Sequence, residues 1–208
     1  MRNIKAIVFD YGGVISFPPS DTVMEEIAAL AGIKPEIFKQ LYSKHRKDYD
    51  RGKFPVSIFY KNILDESNIK VDKEIINKMG RLDHNSWKEI NPETIKLMQD
   101  IKNAGFILGI LSNMPFDFLE YLCGVSSVYR LPHIAIYSCE AGCIKPEEAI
   151  YRLLLSKIKC RAEELVFFDD VKENVDKALE IGIKARLWED CQKAHKCLEE
   201  LNIRLQGA

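Results

Sequence analysis

The sequence has no long apolar run. Nothing in it approaches the roughly 20 residues that a membrane-spanning helix needs, and no apolar stretch with a small-residue cleavage site follows Met1-Arg2-Asn3. The expectation is a soluble, cytoplasmic protein with no membrane partner. A charge excess is also missing: 30 basic and 31 acidic residues leave a net charge of −1. Polyanion-binding proteins concentrate basic residues, so no nucleic-acid partner is expected. The stretch Lys44–Lys47 looks basic, but Asp48 and Asp50 follow at once, and it reads as a solvated helix face. Nor is there a cysteine framework. The six cysteines are Cys123, Cys139, Cys143, Cys160, Cys191 and Cys197. A chain of 208 residues is not a small disulfide-stapled domain. The spacings of Cys139 with Cys143, and of Cys191 with His195 and Cys197, match no standard zinc set. Reduced thiols are expected. Repeats and low-complexity segments are absent as well.

Apolar residues make up 47% of the chain, enough for a sizeable core. Five short runs rich in Ile, Val and Phe stand out: residues 4–9, 106–111, 133–138, 165–169 and 184–188. Continuous apolar character, without strict alternation, suits strands buried on both faces of a parallel sheet. Amphipathic helical patterns separate the last four, over 92–104, 147–157 and 171–181. Asn91 is placed to cap the first, and Gly105 and Gly182 to end the first and last. This alternation predicts an α/β fold with a doubly wound, Rossmann-like parallel sheet. The first two strands are joined differently. Residues 17–90 carry helical patterns over 21–31, 35–51, 55–68 and 72–89, broken at Gly32, Gly52-Lys53 and Asn68. So long a connection implies an insert with its own structure. The expected division is a core of residues 1–16 and 91–208 and a helical cap of residues 17–90, placed over the carboxyl ends of the strands, where open α/β sheets bind ligands.

Four groups of residues carry chemistry. Asp10 closes the first strand and is followed by Gly12-Gly13. A carboxylate there can attack phosphorus or bind a cation, and the glycines let backbone N–H groups approach an anion; taken alone, Asp10 reads better as a turn residue. Ser112 and Asn113 end the second strand and can donate to phosphate oxygens, or cap the segment at Phe116. Lys145, before Pro146, opens a helix where the dipole disfavours a cation, unless it faces a bound anion. Asp169 and Asp170 close the fourth strand, with Asn174 beyond them. Adjacent carboxylates raise each other's pKa unless a cation sits between them, and hard oxygen ligands suit Mg²⁺. All four groups fall at carboxyl ends of strands and so face one crevice, where together they make a coherent phosphoryl-transfer site.

At these residues the sequence resembles the haloacid dehalogenase superfamily, in its capped phosphatase-like branch. The order and spacing of the four groups match that family's motifs across essentially the whole chain. Residues 138–146 resemble its third motif, and Arg51-Gly52-Lys53 the glycine-containing turn of its cap. The resemblance implies that Asp10 is the nucleophile and a Mg²⁺ ligand, with the Gly12 carbonyl, Asp170 and the adjacent Asp169 as further ligands and Asn174 in support. It implies that Ser112, Asn113 and Lys145 hold the phosphoryl group of a small phosphorylated substrate, for instance a sugar phosphate, in a monomer or a homodimer.

The sequence departs from the family pattern at one position. The usual first motif has a second Asp two residues after the nucleophile, which protonates the leaving group. Here that residue is Gly12. Either a cap residue replaces the acid, with His45, Asp48, Tyr49 and Arg51 as candidates, or the leaving group needs none, or catalysis has been lost. Without an acid, rates should depend steeply on leaving-group pKa, and Gly12→Asp should help poor leaving groups unless it clashes with the cap. The competing functions are a metal-free haloacid dehalogenase, which has no use for paired carboxylates, and a non-catalytic phosphate-binding or regulatory protein.

Overall fold

The computed structural model describes residues 4–205, so the readings placed on Met1-Arg2-Asn3 lie outside it. Five strands form one parallel sheet in the order β3-β2-β1-β4-β5. They are β1 (Ala6–Phe9), β2 (Ile107–Ser112), β3 (Ile134–Tyr137), β4 (Leu165–Asp169) and β5 (Lys184–Leu187). The apolar runs are continuous because both faces are covered. In β1, Ile7 and Phe9 enter a core on one side with Leu97 and Met98 of α5 (Pro92–Asn103). Ala6 and Val8 enter a second core on the other side, with Tyr151 and Leu154 of α8 (Glu148–Ile158) and Val175 of α9 (Lys172–Glu180). Each large side chain fully buried in this way contributes roughly 1.5–3 kcal/mol. The last helix, α10 (Cys191–Glu200), packs Leu198 into the first core.

Four helices lie between β1 and α5: α1 (Asp21–Ala31), α2 (Pro35–Asp50), α3 (Val56–Glu66) and α4 (Lys73–Ser86). Their apolar faces form a third core of their own, built around Phe38, Tyr49, Phe59, Ile63 and Met79. Local chemistry sets their ends. The Ser20 hydroxyl and the Asp72 carboxylate accept from Val23 N and Ile75 N, and Gly32 closes α1 at φ 67°. The chain leaves the sheet region and returns to it side by side: Phe17 N donates to Glu89 O and Asn91 N to Ile15 O, both at 2.9 Å. Asn91 caps α5 as expected, its side chain accepting from Glu93 N.

Several local expectations are corrected. Residues 133–138 do not remain a strand to their end: after Tyr137, Ser138–Ala141 form the one-turn helix α7, which takes in Cys139. Lys145-Pro146 precede α8 rather than open it, because Glu147 is the cap residue. A helix, α6 (Phe116–Val125), stands between β2 and β3. The Lys44–Asp50 stretch is solvated only in part: Lys44, Lys47 and Asp48 are exposed, but Asp50 is buried and Arg46 turns inward to it. The spacing explains this, since Phe38, Tyr42, Arg46 and Asp50 recur every four residues and share the inner face of α2. All six cysteines are free thiols, and no described helix is long and apolar enough to cross a membrane.

Candidate active site

The parallel register brings the carboxyl ends of β1, β2 and β4 to one edge of the sheet, facing the four-helix insert. Asp10 follows β1 directly. Ser112 and Asp169 are the last residues of β2 and β4, and Asp170 follows Asp169. These residues meet at a cavity of about 270 Å³, lined from the sheet side by Asp10, Gly12, Ser112, Asn113, Lys145 and Asp170.

Lys145 is the centre of the charge arrangement. It is only 2% exposed, and its Nζ lies 2.8 Å from Asp10 Oδ1 and 2.6 Å from Asp169 Oδ2. Burial works against the ammonium charge, but Asp10 and Asp169 outweigh it and hold the proton on. Asp10 Oδ1 also accepts from Tyr11 N at 2.6 Å. Both bonds fall on Oδ1, so the lone pairs of Oδ2 are free of them. Burial raises the Asp10 pKa, Lys145 opposes that rise, and Asp169 and Asp170 add to it.

The acidic pair divides its labour. Asp169 is fully buried and well satisfied: it accepts from Lys145 Nζ, from Val171 N at 2.8 Å, and from Asn174 Nδ2 through both oxygens. Asn174 therefore orients Asp169. Asp170 lines the cavity, and its carboxyl is also held above its ordinary range, by burial first and by Asp169 second. Asn113 differs from a simple phosphate donor. Its Oδ1 accepts from Lys145 N and its Nδ2 donates to Lys145 O, at 2.8 and 3.0 Å, which fixes the loop that carries the lysine.

Asp10, Asp169 and Asp170 each offer a carboxylate oxygen within 4.8 Å of the others, the group among the described residues arranged to share one cation. Three carboxylates face one ammonium, and burial disfavours the charge on two of the three. All the donors are hard oxygens. That donor set fits a Mg²⁺ ion. Gly13 makes the arrangement possible. Its φ is +74°, and a Cβ there would lie 2.2 Å from Asp170 Oδ2, so only glycine lets this carboxylate close on the loop after β1.

The insert supplies the roof of the cavity through Tyr42, Arg46, Asp50 and Trp87. Trp87, the residue that ends α4, lies over Gly12: a Cβ on Gly12 would come within 2.8 Å of the indole. The indole Nε1 donates to Asp83 Oδ1 at 3.3 Å, and the Trp87 carbonyl accepts from Tyr11 Oη at 3.3 Å. The four cap residues named from sequence point elsewhere. His45 pairs with Glu66 and Asp48 with Lys53; Tyr49 hydrogen-bonds His84 inside the helical core; and Arg51 grips Glu147 through two bonds. None of them lines the cavity. Sequence reasoning passed over Arg46, Asp50 and Trp87. The four-residue repeat along α2 was the available signal for the first two; nothing local marks Trp87.

The haloacid dehalogenase-like hydrolase family matches residues 4–182 of the chain. Among curated proteins, pig bifunctional epoxide hydrolase 2 is 27% identical over 217 residues, covering 95% of this chain. The chain spans 39% of that protein's length, and 21% of the rat protein of the same name. A Mycobacterium tuberculosis protein named as a phosphatase is 20% identical, with 89% of this chain and 87% of that one covered. Of solved structures, a HAD family enzyme of Bacteroides thetaiotaomicron in complex with magnesium and inorganic phosphate matches with a TM-score of 0.75 at 17% identity, covering 90% of this chain and 95% of that one. An L-2-haloacid dehalogenase matches with a TM-score of 0.69 at 18% identity, over 88% and 85% of the two chains. At these identities the structural matches speak for the fold.

Proposed function

The chain belongs to the haloacid dehalogenase-like hydrolase family, and from that premise we propose that it is a Mg²⁺-dependent phosphohydrolase acting on a small phosphorylated metabolite. The observation that carries this reading is the cluster of Asp10, Asp169 and Asp170 around the buried Lys145. Asp10, Asp170 and the Gly12 carbonyl would hold the ion, with Asp169 buried behind them. Bound Mg²⁺ offsets the negative charge of nucleophile and substrate and polarises phosphoryl oxygens.

The chain's own residues do the rest. Lys145, held charged, faces the equatorial phosphoryl oxygens and stabilises the charge that develops there. Ser112 borders the same space, and Asn113 keeps the Lys145 loop in position. Asp10 then attacks phosphorus through Oδ2, the oxygen that Lys145 and Tyr11 do not engage. The P–O bond to the leaving group breaks, giving an aspartyl-phosphate that water hydrolyses. A cavity of about 270 Å³ lies just under the roughly 300–1,000 Å³ typical of ligand pockets, which suits a substrate the size of a sugar phosphate. Residues 17–90 act as the cap that closes over it.

A metal-free dehalogenase is disfavoured by Asp170, a further carboxylate that lines the cavity beside Asp10 and Asp169 while Lys145 forms its ion pairs with those two. The test is turnover of p-nitrophenyl phosphate, acetyl phosphate and a metabolite phosphate panel with Mg²⁺, using Asp10→Asn as the control. Hydrolysis that depends on Mg²⁺, stops with EDTA and is absent in the variant is expected. Activity that survives full chelation would refute the reading, and failure on every substrate would favour a non-catalytic binding protein.

A further inference from the structure

A phosphohydrolase working on an ordinary ester needs a proton donor for the leaving oxygen, and the loop after β1 cannot supply it. Gly12 has no side chain, and Trp87 occupies the direction in which one would point. The donor must therefore be another ionisable group lining the cavity. Tyr11 and Tyr42 line it, but burial pushes both phenols well above their ordinary range. Arg46 does not release its proton. Asp10, Lys145 and Asp170 are committed to attack, to the phosphoryl group and to the cation. One titratable side chain on the cavity wall is left: Asp50.

Asp50 is held for such a task. It is the last residue of α2 and is 7% exposed. Its main-chain oxygen accepts from the Ser138 hydroxyl of α7 at 2.5 Å, and that hydroxyl also accepts from Met114 N. The residues after it are locked to the sheet domain too, by the Arg51–Glu147 fork and by Val56 N donating to Asp117 Oδ2 at 2.8 Å. The end of α2 is thus pinned over the strand ends. On its other side, Arg46 Nε donates to Asp50 Oδ1 at 2.7 Å, and this bond leaves Oδ2 unengaged. The Arg46 guanidinium lies against the Tyr42, Tyr49 and Trp87 rings. The charged groups that act on the carboxyl are Arg46 of the same helix, Asp83 of α4 and Lys145. Burial pushes its pKa up to about 6, with Arg46 and Lys145 opposing and Asp83 assisting, so it can both carry and release a proton near neutrality.

Resting on the phosphohydrolase reading, we propose that Asp50 is the acid/base group of this site, doing from the cap what Gly12 cannot do from the loop. As Asp10 Oδ2 bonds to phosphorus, the P–O bond to the leaving group breaks and the leaving oxygen takes the Asp50 proton, so alcohol departs and Asp50 becomes a carboxylate. Water then attacks the aspartyl-phosphate, Asp50 takes its proton, Asp10 leaves as carboxylate, and inorganic phosphate is released.

The test uses the full chain with Mg²⁺, a series of aryl and alkyl phosphates of rising leaving-group pKa, and stopped-flow detection of p-nitrophenolate. Wild type should show a shallow dependence on leaving-group pKa. Asp50→Asn should steepen it, losing about 10²- to 10⁴-fold on alkyl phosphates. On p-nitrophenyl phosphate, whose leaving group needs no acid, it should release a burst of one product per site and then turn over slowly, because hydrolysis of the intermediate has lost its base. Asp50→Ala should regain activity with added formate. A purely structural role for Asp50 would give neither burst nor rescue, and either a steep wild-type dependence or an Asp50→Asn enzyme without a burst would overturn the proposal. A wild type inert towards every phosphate would instead overturn the phosphohydrolase reading beneath it.

Discussion

Gly12 offers a sharp test of the site's geometry. Carbon–carbon contacts are optimal at roughly 3.5–4.0 Å, whereas a Cβ on Gly12 would sit 2.8 Å from the Trp87 ring. The indole would have to retreat by about 0.7 Å, the gap between those two distances. Retreat is resisted. Nε1 is bonded to Asp83, the main-chain oxygen of Trp87 is bonded to Tyr11, and Arg46 lies 5.8 Å from the ring centroid. Overpacking of this kind costs about 1–3 kcal/mol. In a domain of this size each kcal/mol moves Tm by about 2–4 °C, so Gly12→Ala should melt roughly 2–12 °C below wild type. In a Trp87→Ala background the same substitution should be nearly neutral, giving a coupling of about 1–3 kcal/mol. Urea unfolding of the four proteins of the cycle measures it. A Gly12→Ala cost below about 0.5 kcal/mol, the scatter of ordinary surface substitutions, or additive effects around the cycle, would show that Trp87 does not occupy this place. The same contact decides the fate of Gly12→Asp. The expected gain on poor leaving groups should not appear, because the carboxylate cannot enter where the indole lies.

Two further outcomes follow from charge. Mg²⁺ at about 100 times its Kd should stabilise the wild type by about 2.7 kcal/mol. Asp170→Asn, at an exposed ligand position, should fold normally yet lose most of that Mg²⁺-dependent Tm shift; an unchanged shift would remove Asp170 from the ion's ligands. Glu164 accepts from Arg161 N, from the Arg161 guanidinium and from Lys5, which together hold its pKa at about 2, against an ordinary 4.5. Its folded value lies below its unfolded one, so its contribution is complete above pH 4.5 and fades as pH falls towards 2. Glu164→Gln should therefore be less stable than wild type at pH 7, with the difference in urea midpoint narrowing below pH 4.5; a constant difference would refute the assignment.

The order of the five strands and of the helices other than α6 and α7 was readable because burial writes itself into the strands as continuous apolar runs and into the helices as apolar periodicity. That the four groups of residues come together was readable for a related reason. In a parallel sheet the carboxyl ends of the strands lie at the same edge, so Asp10, which follows β1, and Ser112 and Asp169, which end β2 and β4, converge without any knowledge of side-chain contacts. What escaped depends on pairings between distant segments. Asn113 was placed among the phosphate-holding residues, but its two bonds to the Lys145 main chain were not legible. The bonds by which Asn174 holds both oxygens of Asp169 were not legible. Ser138, inside a stretch read as strand, anchors the end of α2 through Asp50. Arg46 and Asp50 resemble an exposed i,i+4 ion pair, a pattern far commoner on surfaces, and only their alignment with Phe38 and Tyr42 marks them as inward-facing.

The absence at position 12 and the presence at position 50 belong to one packing arrangement. Because residue 12 is glycine, the end of α4 can descend onto the loop after β1 and set the Trp87 indole over Gly12. That indole is one of the three rings against which the Arg46 guanidinium lies, and Arg46 in turn holds Asp50 Oδ1. A side chain at position 12 would push Trp87 away and disturb the guanidinium's seat, and with it the carboxylate. Under the proposed role of Asp50, the aromatic surface over Gly12 is what positions the acid, and a side chain at position 12 and the indole exclude each other sterically. With Trp87→Ala making room for a side chain at position 12, Gly12→Asp, Trp87→Ala and Asp50→Asn combined should recover the shallow dependence on leaving-group pKa that Asp50→Asn alone steepens; a triple variant as steep as Asp50→Asn would refute the exchange.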